Sequence, residues 1–134
     1  MQHILDRLQR EILTWPGMTA APHRFGGIEF NLGSVEVGHV HRSGMVDIPF
    51  NSKIRNQLVA EGLAEPHHLL KDTGWISFYI HSDADGEAAL RLFRLSYLFN
   101  AARQRTPGVD VAQEAAALGM SDPLRAAFQS AARV

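Results

Sequence analysis

Residues 28–50, IEFNLGSVEVGHVHRSGMVDIPF, decide the fold. Ile28, Phe30 and Leu32 alternate with Glu29 and Asn31, the period of a half-buried strand. Gly33-Ser34 has the composition of a two-residue hairpin turn with glycine first. VEVGHVHR then reads as a second strand, Ser43-Gly44 as a second turn, and MVDIPF as a third strand. Pairing across these turns sets Leu32 opposite Val35, Phe30 opposite Val37 and Ile28 opposite His39. The second hairpin sets His41 opposite Val46 and His39 opposite Ile48. This register predicts that His39 and His41 share a face with Phe30 and Val37, and that Glu36, Val40, Arg42 and Asp47 point to the other.

Helices surround this meander. Ile4, Leu5, Leu8, Ile12 and Leu13 recur at helical spacing, which predicts an amphipathic helix over 2–14, stopped at TWPGM. NSKIRNQLVAEGLAEP predicts a second helix, capped by Asn51 or Ser52 and stopped by Gly62. HHLLKDTG reads as a loop, and WISFYI, apolar on both faces, as an interior strand. DADGEAALRLFRLSYLFNAARQ carries Ala89, Leu92, Phe93, Ser96, Tyr97 and Asn100 in helical register and predicts a well-buried helix. Two further helices follow, capped by Asp110 and by Ser121-Asp122 with Pro123 at the start. The predicted class is α+β: a twisted antiparallel sheet of about four strands packed by helices, with a C-terminal helical pair. Residues 1–105 form the α+β domain and residues 106–134 a helical extension.

The totals narrow the function. A chain of 134 residues suits one domain, and a net charge of −1 gives no overall attraction to nucleic acid or anionic membrane. The absence of cysteine removes disulfides, thiolate nucleophiles and thiolate metal sites. MQHILDRLQREIL mixes charges among its apolar residues, so neither a signal peptide nor a spanning helix is expected, and a cytoplasmic protein is. Seven histidines are the one compositional oddity.

His39 and His41 form an H-x-H pair. Such a pair supplies two ligands of one metal when a third converges from elsewhere, or it supplies acid–base groups. The plain alternative is two sheet residues hydrogen-bonded to neighbours. An imidazole left unpaired among Ile28, Val46 and Ile48 costs about 1–3 kcal/mol, so partners or a solvent-lined pocket are required. His67-His68, with Asp72 nearby, stands on the loop before Trp75 and offers the same chemistry, or no more than a solvated cap. No third metal ligand stands at a diagnostic spacing, so no structural zinc and no cofactor are expected. Ser43, Ser77 and Ser96 lack a nucleophile-elbow context. His23 and Arg24 precede Gly26-Gly27, which reads as a turn rather than a phosphate loop.

TWPGM, APHRFGGIEFNLGSVEVGHVHRSGMVDIPF, AEGLAEPHHLLKDTGWISFYI and LRLFRLSYL together resemble the luciferase-domain family over roughly residues 1–103. These are short, mostly bacterial proteins of unassigned function whose domain also occurs in fungal luciferase. The spaced matches are Pro22-His23, Gly26-Gly27, Phe30, Gly38-His39, His41, Asp47, Pro49-Phe50, His68, Gly74-Trp75 and Ser96-Tyr97. The resemblance implies an oxygenase acting on a hydroxylated aromatic pyrone without a metal or organic cofactor, although bacterial members lack that pathway. A weaker likeness, in HHLLKDTGWISFYI and LRLSYLF, is to the MmcQ/YjbR-like fold, for which nucleic-acid binding has been suggested. Both likenesses favour His68 over His67.

The reading that results is a small-molecule-binding domain, with catalysis an open question, whose ligand is planar and hydroxylated. His39, His41 and His68 are the candidate catalytic groups. Asp47, Trp75, Tyr79 and His23 are the candidate ligand contacts, with the two aromatics as a stacking wall. The alternative is an interaction module binding nucleic acid or protein. VAQEAAALGMSDPLRAAF resembles a helix-turn-helix, but its last helix brings only Arg125, Gln129 and Arg133, so nucleic-acid binding is not expected. Its stripe of Leu124, Ala127, Phe128 and Ala131 must cover either the domain or a second copy. A homodimer with contacts from residues 110–134 is the expectation.

Overall fold

The quoted stretch does form three antiparallel strands, but in a different register from the one read above. A computed structural model describes the whole chain, Met1–Val134. The strands are β2 (Gly27–Leu32), β3 (Val35–Val40) and β4 (Met45–Pro49). Leu32 pairs with Val35 across Gly33-Ser34 as expected, and then the register slips: Asn31 faces Glu36 while Phe30 faces Gly38. Val37 is therefore the extra residue of a β-bulge. Two contacts hold it there. A Cβ on Gly38 would stand 2.7 Å from Phe93 Cε1 and 2.9 Å from Ile48 Cγ1, so the strand needs a bare residue where the Phe93 ring packs. The Ser96 hydroxyl donates to the Val37 carbonyl at 2.8 Å.

The second turn also differs. His41 N–H donates to the Met45 carbonyl at 2.8 Å and Gly44 N–H to the His41 carbonyl at 2.9 Å, leaving Arg42–Gly44 as a three-residue loop. Gly44 has φ 93°, the left-handed conformation such loops require at their last position. Val40 now pairs with Val46, and His39 with Asp47. A shift of one residue turns every side chain over. His39 consequently lies opposite Glu29 and Asp47, on the face away from Phe30, and His41 turns to the same side. The expectation that both histidines sit with Phe30 and Val37, and that Asp47 points away from them, is overturned.

The sheet has six strands in the order β1-β2-β3-β4-β6-β5, not about four. The two unforeseen strands are its edges, β1 (Met18–His23) and β5 (Glu65–Pro66), while β6 (Trp75–Tyr79) is interior as read. MTAAPH carries no alternation, and two residues are too few to show one.

Helix α3 (Asp83–Gln104) lies on one face of β2, β3 and β4, with Phe93 edge-on to Phe30 at 5.5 Å. Helices α1 (Gln2–Ile12), α4 (Val111–Ala116) and α5 (Asp122–Ala132) pack around it, and α2 (Ser52–Ala60) fits between α5 and the strands β5 and β6. Asn51, Asp110 and Ser121 cap α2, α4 and α5 as read, each accepting a backbone N–H. The stripe of α5 is covered by the chain itself: Leu124 and Phe128 are buried in the same core as Phe30, Ile48 and Ile76. The premise for a homodimer through these helices is thereby removed. No helix is long and apolar enough to cross a membrane.

Candidate functional site

With the helices on one face, the other face of the sheet carries a polar centre. Asp47 stands in the middle of β4, 1% exposed at its side chain, between His39 on β3 and Ser77 on β6. A buried carboxylate must be paired, and this one is met from every side. Its Oδ1 accepts from the Ser77 hydroxyl at 2.7 Å and lies 3.3 Å from His68 Nδ1 and 3.5 Å from His67 Nε2. Its Oδ2 lies 2.8 Å from His41 Nε2 and 3.2 Å from His39 Nε2. Four imidazoles thus converge on one carboxylate.

The bulge makes this possible. Residues three apart on a regular strand point to opposite faces. The extra residue at Val37 puts Glu36 and His39 on the same face, and Glu36 Oε2 lies 2.6 Å from His39 Nδ1. His39 therefore has a carboxylate at each ring nitrogen. Burial alone would lower its pKa, but the hydrogen bonds to Asp47 and Glu36 outweigh it and push the value up to about 9. Burial likewise tends to raise Asp47, and the hydrogen bonds from His39, Ser77 and His41 hold it well below the usual carboxylate range instead.

His67 behaves differently. Its Nδ1 accepts the backbone N–H groups of Leu69 and Leu70 at 3.1 and 3.0 Å, so the ring proton of the neutral form sits on Nε2, facing Asp47. Burial pushes its pKa down, against the pull of Asp47. It is buried, not a solvated loop residue, and it folds the loop that carries His68 over the sheet. His68 takes its place beside Ser77, whose hydroxyl accepts from the His68 backbone N–H at 3.2 Å.

The remaining sequence candidates surround this centre. His23 stacks on His39 with ring centroids 3.8 Å apart and is held by Glu29 at 3.2 Å. The Trp75 ring lies 5.8 Å from His39 and 5.6 Å from His67. Tyr79 is on the same face by strand alternation, at the far end of β6 and partly exposed. Sequence reasoning missed Ser77, Glu36 and Glu29 as partners and placed His67 behind His68. The alternation Trp75, Ser77, Tyr79 was the available signal for Ser77. Glu36 could not be found without the bulge.

Among the four imidazoles that converge on Asp47, two nitrogens have no protein partner: His41 Nδ1 and His68 Nε2, on side chains 23% and 29% exposed. These are the groups a ligand can reach. The two most exposed large apolar residues flank the cluster in sequence: Phe25, two after His23, and Leu69, directly after His68. A cavity of about 390 Å³ lies elsewhere, between α2, α3 and the α4–α5 turn. A smaller one of about 270 Å³ beneath α1 reaches the cluster only at His41. Of the cluster's histidines, only His41 lines either cavity. Two triads bring candidate ligand atoms within 4.8 Å of one another: His39, His41, Asp47 and Asp47, His67, His68.

The charge arrangement predicts how metal-free protein responds to pH. The folded pKa of His39 is about 9 against an ordinary 6.5, so its stabilising contribution is complete below 6.5 and lost as pH rises through about 9. Asp47, whose folded pKa is lowered, contributes above its ordinary 3.8 and loses that contribution only as pH falls through its folded value. Urea titrations of chelator-treated protein should therefore show stability falling by at most about 3 kcal/mol between about pH 6 and 9.5. His39→Gln should flatten that slope. Equal stability across the interval in the unaltered protein contradicts the imidazolium.

Residues 34–96 match the family model described as the luciferase domain. No curated protein and no solved structure matches the chain. The matched segment contains Glu36, His39, His41, Asp47, His67, His68, Trp75 and Ser77, which is the whole centre apart from the outlying His23–Glu29 pair.

Proposed function

We propose, from the match of residues 34–96 to the luciferase-domain model, that the outer sheet face binds a planar, hydroxylated small molecule over the Asp47 cluster. The observation that carries this reading is the convergence of His39, His41, His67 and His68 on one buried carboxylate, with ring nitrogens of His41 and His68 left toward solvent. A bare structural role would not need two partly exposed imidazoles oriented by the same aspartate. Asp47 fixes the His41 ring by accepting from Nε2–H, which leaves Nδ1 with a lone pair for a ligand hydroxyl. His68 Nδ1 is held by the Ser77 hydroxyl at 3.2 Å, beside Asp47 Oδ1 at 3.3 Å, which leaves Nε2 toward the ligand as an acid–base group. Trp75 lies beside the rings as an aromatic flank, and Phe25 and Leu69 offer apolar surface to the ligand's edges. His23, stacked on His39, and Tyr79, further along the face, extend the contact surface. Proton transfer to or from the ligand hydroxyl is the chemistry these groups support.

A fluorescent hydroxycoumarin tests the reading on chelator-treated protein. Saturable binding is expected, weakened at least about tenfold by His68→Ala and by Phe25→Ala. Phe25 is 93% exposed, so its removal should leave thermal stability unchanged. Absence of saturable binding, or binding indifferent to both substitutions, overturns the proposal.

A further inference from the structure

We propose that the same centre is a binding site for one divalent first-row transition ion, held by His39 Nε2, His41 Nε2 and Asp47 Oδ2. The inference rests on the placement of the functional site above but is independent of what ligand occupies it. Its argument is the division of labour between the two oxygens of Asp47. Oδ1 is committed to the protein, accepting from the Ser77 hydroxyl at 2.7 Å and facing His67 Nε2, which carries the ring proton. Oδ2 is faced only by two imidazole nitrogens, at 2.8 and 3.2 Å. Metal–nitrogen bonds of about 2.0–2.1 Å place neighbouring ligand atoms about 3 Å apart; the two nitrogen–oxygen distances match that spacing, and all three atoms lie within 4.8 Å of one another.

Of the two histidines, His39 has the outer partner that metal-ligating histidines carry. A ligating histidine gives its other N–H to a carboxylate or carbonyl, which fixes the ring and strengthens the ligand. Glu36 does this for His39 at 2.6 Å, through the side of the ring that faces away from Asp47. His67 is excluded as a ligand by the same reasoning. Its Nδ1 already accepts two backbone N–H groups, so Nε2 cannot be left with a lone pair in the neutral ring. Its Nε2–H instead faces Asp47 Oδ1 at 3.5 Å, an electrostatic neighbour of the carboxylate. His68 likewise faces the committed oxygen and Ser77, and stays available to the ligand.

Two imidazoles and one carboxylate suit iron, zinc or cobalt in the divalent state and leave coordination positions open. The hydroxyl oxygens of a planar ligand are donors of the kind that would complete them. Such an ion would supply Lewis acidity at a ligand oxygen, while Glu36 and Ser77 hold His39 and Asp47 in place.

The test uses the full chain, made without a histidine tag, stripped with chelator and titrated with Co²⁺ alone. One ion per chain is expected, with visible d–d absorption that Zn²⁺ abolishes by displacement. His41→Ala should weaken binding at least about 100-fold, and Glu36→Gln about 10–100-fold. His3→Ala and His81→Ala, on the exposed surface, should change nothing. His41 lies beyond the end of β3 and is part-exposed, so its variant is expected to fold, and circular dichroism will check this; Glu36→Gln keeps the test decisive if it does not. Absence of stoichiometric binding overturns the inference, as does binding that both substitutions leave intact. Because hydroxycoumarin binding is measured on stripped protein, a lost metal site and a lost ligand site are separate results.

Discussion

Asp47→Ala is expected to cost the metal-free protein about 3–5 kcal/mol at neutral pH, among the largest effects any single polar substitution will have here. The removed carboxylate is the shared acceptor of the Ser77 hydroxyl and of His39 and His41, and it faces His67 and His68 as well. Without it, His39 keeps Glu36 at one nitrogen and must leave the other unpaired or give up its proton. Each buried donor left without an acceptor costs about 1–3 kcal/mol, and Ser77, His39 and His67 are all buried. Water entering from the open side will recover part of the sum, which keeps the expected loss below the total for the separate donors. Asp47→Asn should not rescue it, because an amide brings two donors into a ring of donors. Urea denaturation of the three proteins makes the comparison. A loss under about 1 kcal/mol for Asp47→Ala would mean that solvent already satisfies the cluster, and the site would then be a hydrated surface rather than an organised one.

How far the sequence foretold this centre depends on which interaction places each residue. The two-residue spacing of His39 and His41 put them on one face, which holds, because that inference needs only the local pleat. Their relation to Phe30 and Asp47 needed the register, and the register is set by a tertiary contact: Phe93 packs where Gly38 has no side chain, and the strand bulges at Val37 to let it. A glycine inside a strand is a recognised sign of a bulge or a close backbone approach, so Gly38 was the available warning. A charged residue also cannot share a core face with Val46 and Ile48 without a partner. Asp47 on the face opposite those two was the reading physics favoured, and it carried His39 with it once they were paired. The helices were legible because caps and periodicity are local. The edge strands β1 and β5 were not, being defined by what they pair with and not by what they contain. His68 and Trp75 came from the family resemblance, and His67 was undervalued because its burial depends on how the loop folds around its own ring.

The C-terminal helices give the other large expected effect. The stripe of α5 was read as needing cover, with a second copy as the expected cover. Phe128 is 0% exposed and Leu124 3% exposed within a single chain, so the cover is α2 and α3 of the same molecule. Polar contacts fasten the same surface: Ser121 to Glu61 at 2.6 Å and Arg94 to Glu114 at 3.0 Å. The segment therefore completes the domain's core instead of extending it. Phe128→Ala removes a fully buried ring from the shared core. The neighbours cannot close the new void easily, and the expected cost is about 3–5 kcal/mol. Arg133→Ala, at the exposed end of α5, should stay within about 0.5 kcal/mol. Because Phe128 belongs to the same cluster as Phe30 and Ile48, its loss should lower one cooperative transition seen alike by far-ultraviolet circular dichroism and by tryptophan fluorescence. If the tail were a separate appendage, Phe128→Ala would leave the main transition where it was and shift only an earlier, smaller one. That outcome would return the stripe to the surface and reopen the question of what covers it.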